Sequence, residues 1–180
     1  MSSPEINSSR FSLRPVRDED LEALHALFAD EEVRRYLWDG KEVSLETTCQ
    51  IVEKSQRLFD EFGFGVWLVR EGGIDSPIGF AGYWHFYHPP VLELFYGVAP
   101  RCWQRGIATE CGSALLRYAF EALRFRRVEA SVHVDNTASA RVLEKLRMVW
   151  QRREVVDGRD AVFYALERDD WKRANSEEPN

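Results

Sequence analysis

The chain has 180 residues, 44% hydrophobic and 30% charged, a size and composition that build one packed core and exclude a disordered or fibrous protein. With 24 Lys and Arg against 30 Asp and Glu, the formal net charge is −6, which repels a phosphate backbone, argues against a nucleic-acid partner and attracts cations. No apolar run approaches the roughly 18 to 20 residues of a membrane span, Met1 to Arg10 lacks the pattern of a secretory signal, and Cys49, Cys102 and Cys111 have neither an even count nor metal-type spacing. No membrane partner and a cytoplasmic location are therefore expected.

Residues 1–9 read as a polar lead and 172–180 as a frayed tail, both flexible, around a single domain at 10–171. Phe11-Ser-Leu-Arg14 alternates and then meets Pro15, which predicts a short strand. Asp18 stands where it can cap a helix whose Leu21, Leu24, Leu27 and Phe28 fall at helical spacing. After an aromatic, acidic loop at Tyr36-Leu-Trp-Asp-Gly40, Ser44 starts a second helix that carries Cys49, Ile51, Val52, Leu58, Phe59 and Phe62 to a stop at Gly63. A β meander follows, with strands at 66–69, 78–86 and 91–98 and turns at Gly72-Gly73 and His88-Pro89-Pro90. Residues 107–123 place Ala108, Cys111, Leu115, Tyr118, Ala119 and Ala122 on one face of a long helix. A strand at 128–134, a helix at 137–146 and a hairpin of 149–156 with 161–166 around Asp157-Gly158 complete the chain. The order βααβββαβαββ predicts an α/β fold: one mixed sheet with helices on both faces, three layers, and a ligand site where neighbouring strands diverge.

The segment from Val98 to Glu110, Val-Ala-Pro-Arg-Cys-Trp-Gln-Arg-Gly-Ile-Ala-Thr-Glu, runs from a strand end through a loop into the long helix. Gly106 lets the backbone approach a ligand, Ala108 keeps the first turn uncrowded, and the free N–H groups of the helix start attract an anion, with Arg101 and Arg105 beside them. This outlines a diphosphate site. It resembles the pyrophosphate motif Q/R-x-x-G-x-G/A of the GNAT superfamily, with Trp103 at the first position, Gly106 at the fourth and Ala108 at the sixth. The aromatic Trp103 and the following Ile107-Ala-Thr-Glu110 are similar to the branch of RimJ/RimL-type ribosomal-protein N-terminal acetyltransferases, which often has glycine where this chain has Gln104. Asn136 and Ser139, followed by Val142-Leu-Glu-Lys-Leu146, resemble a second block of that branch, N-x-x-S-x-x-V-L-E-K-L-G-F/M; Arg147 replaces its glycine and puts the usual left-handed turn in question.

The resemblance implies a GNAT acyl-CoA N-acyltransferase fold, acetyl-CoA as co-substrate, no metal, and a primary amine that attacks the thioester directly. It places the co-substrate on Gly97, Val98, Trp103, Gln104, Arg105, Gly106, Ile107, Ala108, Thr109 and Asn136, with the strand end at Tyr96-Gly97-Val98 offering backbone donors to the thioester and Gly97 marking a bulge. Glu93 is the first candidate for the base, on the strand face shared with Phe95 and Gly97; His85, with an ordinary pKa of about 6.5, is the alternative, and water is a third. The tyrosine that protonates sulfur in many relatives corresponds to Leu143, so Ser139 is the candidate donor. His25, His88 and His133 are too scattered for a metal site, and Tyr36, Trp38 and Trp84 are candidates for the acceptor pocket. The expected acceptor is the α-amine of a peptide or protein, with a polyamine or aminoglycoside as the alternative and a catalytically weak acyl-CoA-binding regulatory protein as the rival role. Relatives are often dimers, and Val149 to Trp150 with Val162 to Tyr164 are the candidate edge for a homodimer.

Overall fold

Apolar side chains on both faces of Val66-Trp-Leu-Val69, all four buried, put this segment at the centre of a sheet covered on both sides. In the computed structural model, which describes residues 4–37, 40–74, 76–86 and 91–176, it belongs to β3 (Val66–Glu71). The other strands are β1 (Ile6–Asn7), β2 (Phe11–Pro15), β4 (Gly79–Phe86), β5 (Val91–Val98), β6 (Arg127–His133), β7 (Val149–Val156) and β8 (Arg159–Glu167). Among the described residues they form one sheet in the order β1-β2-β3-β4-β5-β6-β8-β7. All neighbours are antiparallel except β5 and β6, which run parallel and are joined at the single pair Glu93 and Glu129. Helices α1 (Leu21–Ala29), α2 (Glu31–Leu37) and α3 (Leu45–Phe62) lie between β2 and β3, α4 (Ile107–Glu121) crosses from β5 to β6, α5 (Thr137–Lys145) precedes β7, and α6 (Arg168–Ser176) follows β8. One core joins Leu24 and Phe28 of α1 to Leu68 and Phe80, and the other joins Leu115 of α4 and Leu143 of α5 to Leu13, Trp67, Tyr83 and Leu94.

The predicted α/β architecture is the one observed, and the βααβββαβαββ order gains β1, α2 and α6. None of these announces itself by periodicity: β1 is two residues long and neither α2 nor α6 buries a residue. Instead Asp30 Oδ1 accepts the N–H groups of Glu32 and Val33 at 3.0 and 3.3 Å and starts α2, and Trp171 of α6 packs its ring 5.3 Å from that of Phe120. Asp18 does not cap α1. It opens a 3-10 turn, Asp18–Asp20, and accepts from Gln56 Nε2 at 2.8 Å, while buried Asp20 takes the guanidinium groups of Arg14 and Arg70 at 2.6 and 3.0 Å. Ser44 caps α3 as expected, accepting the N–H of Thr47 at 3.1 Å. Asp157 and Gly158 both take positive φ, 52° and 80°, the geometry of a type I′ turn whose twist matches the β7–β8 hairpin.

Three further expectations are corrected. Arg147 adopts the left-handed conformation itself, φ 62°, and the helix-ending turn is kept: Met148 N–H reaches back to the Leu143 carbonyl at 3.0 Å, and Arg147 Nη1 donates to the Ala174 carbonyl at 3.2 Å. Val162 to Tyr164 cannot supply an edge, because β8 lies between β6 and β7; β7 is the edge and exposes Val149 and Trp150. Gly97 marks no bulge, since the β4–β5 register runs unbroken from Gly79 with Val98 to Phe86 with Val91. A Cβ at position 97 would stand 2.3 Å from Phe80 Cζ, so the glycine lets a fully buried ring lie against β5. Gly97→Ala is therefore expected to destabilise by about 2 to 3 kcal/mol in urea unfolding, against less than about 0.5 kcal/mol for Gly72→Ala, where nothing lies within 4 Å. Equal costs for the two would mean that Phe80 does not set this requirement.

Candidate active site

Beyond the pair Glu93 and Glu129 the β5–β6 ladder ends and the strands part. A cleft of about 620 Å³ fills the gap, bounded by β5, β6, the starts of α4 and α5, and α2. Glu93 lies where the strands separate. Its side chain is 2% exposed, and its Oε2 accepts both the N–H and the hydroxyl of Ser131 on β6, at 3.1 and 2.7 Å. Its Oε1, equally buried, has no hydrogen-bond partner among the described residues. Burial pushes the carboxyl up to about 7; the Ser131 hydroxyl and N–H oppose this, the nearby Glu129 adds to it and Arg152 opposes it. A buried carboxylate that lines a cleft and keeps one oxygen unbonded can accept a proton or an N–H.

The other wall carries two helix starts. At α4 the cap is Gly106 with φ 76°, and the first-turn N–H groups of Ile107, Ala108 and Thr109, which have no intrahelical partner by construction, stand at the cleft. A Cβ at Gly106 would meet only Arg10 Nη2, at an ordinary 3.5 Å, so the left-handed turn rather than crowding calls for glycine there. At α5 Asn136 accepts the Ser139 N–H at 3.1 Å, a capping bond. Both helix dipoles thus present their positive ends to one cavity, a place for an anionic ligand.

The loop before α4 is braced from several sides. Trp103, 47% exposed, donates its indole N–H to the Val98 carbonyl at 2.7 Å, holding the loop onto the end of β5. Gln104 takes φ 62°, the conformation that glycine adopts without strain, and the loop keeps its shape without one. Arg105 is paired with Glu71 at 2.5 Å and Arg101 reaches the Pro77 carbonyl at 3.4 Å, so neither guanidinium is given wholly to the cleft. From below, Glu110 of α4 holds the N–H and guanidinium of Arg10 at 2.9 and 2.7 Å and the Ser9 hydroxyl at 2.8 Å; burial would raise its carboxyl, yet these bonds bring it to about 2.

At the opposite end, Arg159 Nη2 donates to the carbonyls of Tyr36 and Leu37, both at 3.1 Å. This latches the end of α2 to β8 and sets the Tyr36 ring 5.7 Å from that of His133. Val33, Leu37, Phe86 and Phe95 make this end apolar.

Glu93, Gly97, Val98, Trp103, Gln104, Arg105, Gly106, Ile107, Ala108, Thr109, Asn136 and Ser139 all line this one cleft. His85 does not. Register pairs Glu93 with Trp84, so His85 points to the other face of β4, where its ring lies 6.1 Å from Phe64 and its pKa is lowered by burial and then by Lys54. Leu143 is buried in the core at 1% exposure. Tyr36 lines the cleft as expected, Trp84 instead packs under Lys54 at 4.5 Å, and Trp38 and His88 lie outside the described residues. Sequence reasoning missed Ser131 and Arg159, which lie among other polar residues of β6 and β8, and the side chain of Tyr96, which it had named only for its backbone. No group of three or more His, Cys, Asp or Glu able to hold a metal occurs among the described residues, and no helix there is long and apolar enough to cross a membrane.

Comparison with known proteins agrees with this geometry. Residues 10–149 match the family model described as an acetyltransferase (GNAT) domain. The chain is similar to the uncharacterised N-acetyltransferase YoaA of Bacillus subtilis (strain 168), 30% identical over 154 residues, 85% of this chain and 86% of that one. Among solved structures, an acetyltransferase of Agrobacterium tumefaciens str. C58 superposes with a TM-score of 0.80 at 23% identity, over 93% of this chain and 96% of that one. RimL, a ribosomal L7/L12 α-N-protein acetyltransferase solved with coenzyme A, does so with 0.76 at 22%, over 93% and 99%. With the family model spanning both the strand that carries Glu93 and the helix start that faces it, this chain belongs to the GNAT acetyltransferases.

Proposed function

We propose that this acetyltransferase takes its acetyl group from acetyl-CoA and passes it to a primary amine, foremost the α-amine of a peptide or protein, with Glu93 as the base. The observation that carries this is Glu93, which lines the cleft and whose buried Oε1 has no hydrogen-bond partner among the described residues. The diphosphate of the co-substrate suits the N–H groups of Ile107 to Thr109 at the start of α4, and its thioester arm then follows the end of β5 past Val98 and Gly97 towards Glu93. The RimL structure, which holds coenzyme A within the same fold, supports the co-substrate, and that protein's α-N-protein acetyltransferase activity supports an α-amine and the RimJ/RimL branch.

Magnitudes favour the same acceptor. A carboxyl near 7 lies about one unit below an α-ammonium at about 7.7 to 8.0, so proton transfer between them is nearly balanced. A lysine ammonium at about 10.4 lies more than three units away and resists the same base. Glu93 Oε1 takes the ammonium proton and passes it to solvent; once the neutral amine attacks, the excess proton on nitrogen moves to the same oxygen, while Oε2 stays anchored on Ser131.

Three outcomes are expected. Saturating acetyl-CoA, at a hundred times its dissociation constant, should stabilise the protein by about 2.7 kcal/mol, roughly 5 to 10 °C in thermal unfolding, with no response to ATP or NAD and none in Gly106→Glu; absence of a shift in wild type defeats the co-substrate reading. In a coupled assay across free-N-terminal peptides, N-blocked lysine peptides and small polyamines, kcat/KM on the best acceptor should rise through an apparent pKa near 7, and Glu93→Gln should lose about 100-fold or more together with that limb. Preference for the polyamines would move the acceptor to the small-amine class, and an unchanged limb in Glu93→Gln would remove Glu93 as the base.

The third concerns stability. The folded value of about 7 exceeds the ordinary 4.5, so folding takes up a proton between the two: the contribution of this group is complete below about pH 4.5 and is lost as pH rises through 7. Glu93→Gln cannot ionise, so it should gain stability relative to wild type between pH 5 and pH 8.5, by about 3 kcal/mol at most. A difference between the two proteins that does not change with pH would contradict the raised carboxyl.

A further inference from the structure

The place where the resemblance sets a tyrosine to meet the departing sulfur is occupied by Leu143, which has no proton to offer. Another hydroxyl reaches the same neighbourhood from the opposite wall. Alternation along β5 turns Tyr96, like Leu94 and Val98, to the face covered by α4 and α5, and all three pack with that core. The Tyr96 hydroxyl crosses to α5 and donates to the carbonyl of Ser139 at 3.2 Å. Ser139 lies one helical turn before Leu143, and Tyr96, Ser139 and Leu143 all line the cleft. At 3.2 Å that bond is long against the roughly 2.7 to 2.8 Å usual for O–H···O, so its proton is held weakly and can turn to a stronger acceptor. An anionic sulfur is such an acceptor.

We propose that Tyr96 is the hydrogen-bond donor to the thioester sulfur as it leaves, doing from β5 what Leu143 cannot do from α5. The assignment rests on the acetyl-CoA reading of this cleft. When the tetrahedral intermediate collapses, the C–S bond breaks, its electron pair moves to sulfur, and the new C–N bond remains as the amide. The phenol shares its proton with the sulfur and keeps it. Burial holds Tyr96 at about 12, with the bond to Ser139 opposing, whereas a thiol titrates near 8.5, so full transfer from the phenol would run uphill. The proton that ends on sulfur is the one Glu93 took from the amine, because a carboxyl near 7 is the stronger acid of the two.

The test needs no acceptor. CoA is bound to the purified protein and its thiol is titrated through the ultraviolet absorbance of the thiolate, in wild type, Tyr96→Phe and Ser139→Ala. Tyr96→Phe should bind CoA within about twofold of wild type and raise the bound thiol pKa by about one unit, a tenfold change in the ionisation constant. Every charged group of the cleft is common to the two proteins, so the difference reads the hydroxyl. An identical thiol pKa in Tyr96→Phe and wild type overturns the proposal, as does a rise in Ser139→Ala alone, which would make the serine the donor. Should Tyr96→Phe fail to fold, wild type decides: its bound thiol must titrate below free CoA, and a value at or above that of free CoA overturns the assignment. Failure of wild type to bind CoA is a different result, visible in thermal unfolding before any titration, and it removes the co-substrate reading along with this one.

Discussion

The parallel pairing of β5 with β6 governs the molecule. Two parallel strands cannot be joined by a tight turn, so the chain must leave the end of β5, cross the sheet and return, and α4 is that crossing. The helix therefore begins where β5 ends. Because α5 follows β6 in the same sense, its start falls at the same end of the sheet. The pair holds only at Glu93 and Glu129, and the strands open towards both helix starts. An open seam, two positive helix ends and a strand edge are thus consequences of one topological fact.

Glu93 is placed by that same seam. It stands at the last point of strand contact, where the sheet still excludes water but no longer supplies a full set of backbone partners. Ser131 satisfies one carboxylate oxygen twice and leaves the other unmet. A buried acid so placed would be a defect in an ordinary core, since an unpaired polar atom costs about 1 to 3 kcal/mol. Where the strands part beside a cleft it is a group able to accept a proton, and its raised pKa follows from the burial that the seam imposes.

The rest of the structure holds the seam open in a fixed shape. Arg10 and Ser9 grip Glu110 beneath the start of α4, Arg105 is drawn to Glu71, and the Trp103 indole ties the loop to Val98. At the far end Arg159 fastens α2 across to β8. Arg105, with Arg101, stands in the sequence beside a loop that suits an anion. In the fold Arg105 pairs with Glu71 and Arg101 reaches the Pro77 carbonyl, while the backbone N–H groups that start α4 stand at the cleft behind a glycine at φ 76°.

Local chemistry carried much of this into the sequence. The β meander, the Asp157-Gly158 hairpin, the Ser44 cap and the run from Val98 through Gly106 into α4 are legible because each depends on residues adjacent in the chain: alternation, turn-forming pairs, a capping side chain, a glycine before a helix. So is the family, through the spacing of Trp103, Gly106, Ala108, Asn136 and Ser139. What adjacency does not contain is which strand lies beside which. That Glu93 meets Ser131, that Tyr96 reaches Ser139 while His85 turns away, and that Arg159 holds α2 are facts of strand order and register, set by how two cores pack on one sheet. Burial and desolvation arise only when those distant segments close over a group. The sequence by itself therefore determined the elements, the glycine turn into α4 and the family, and the tertiary structure alone decided which carboxylate is buried beside the cleft with one oxygen unbonded.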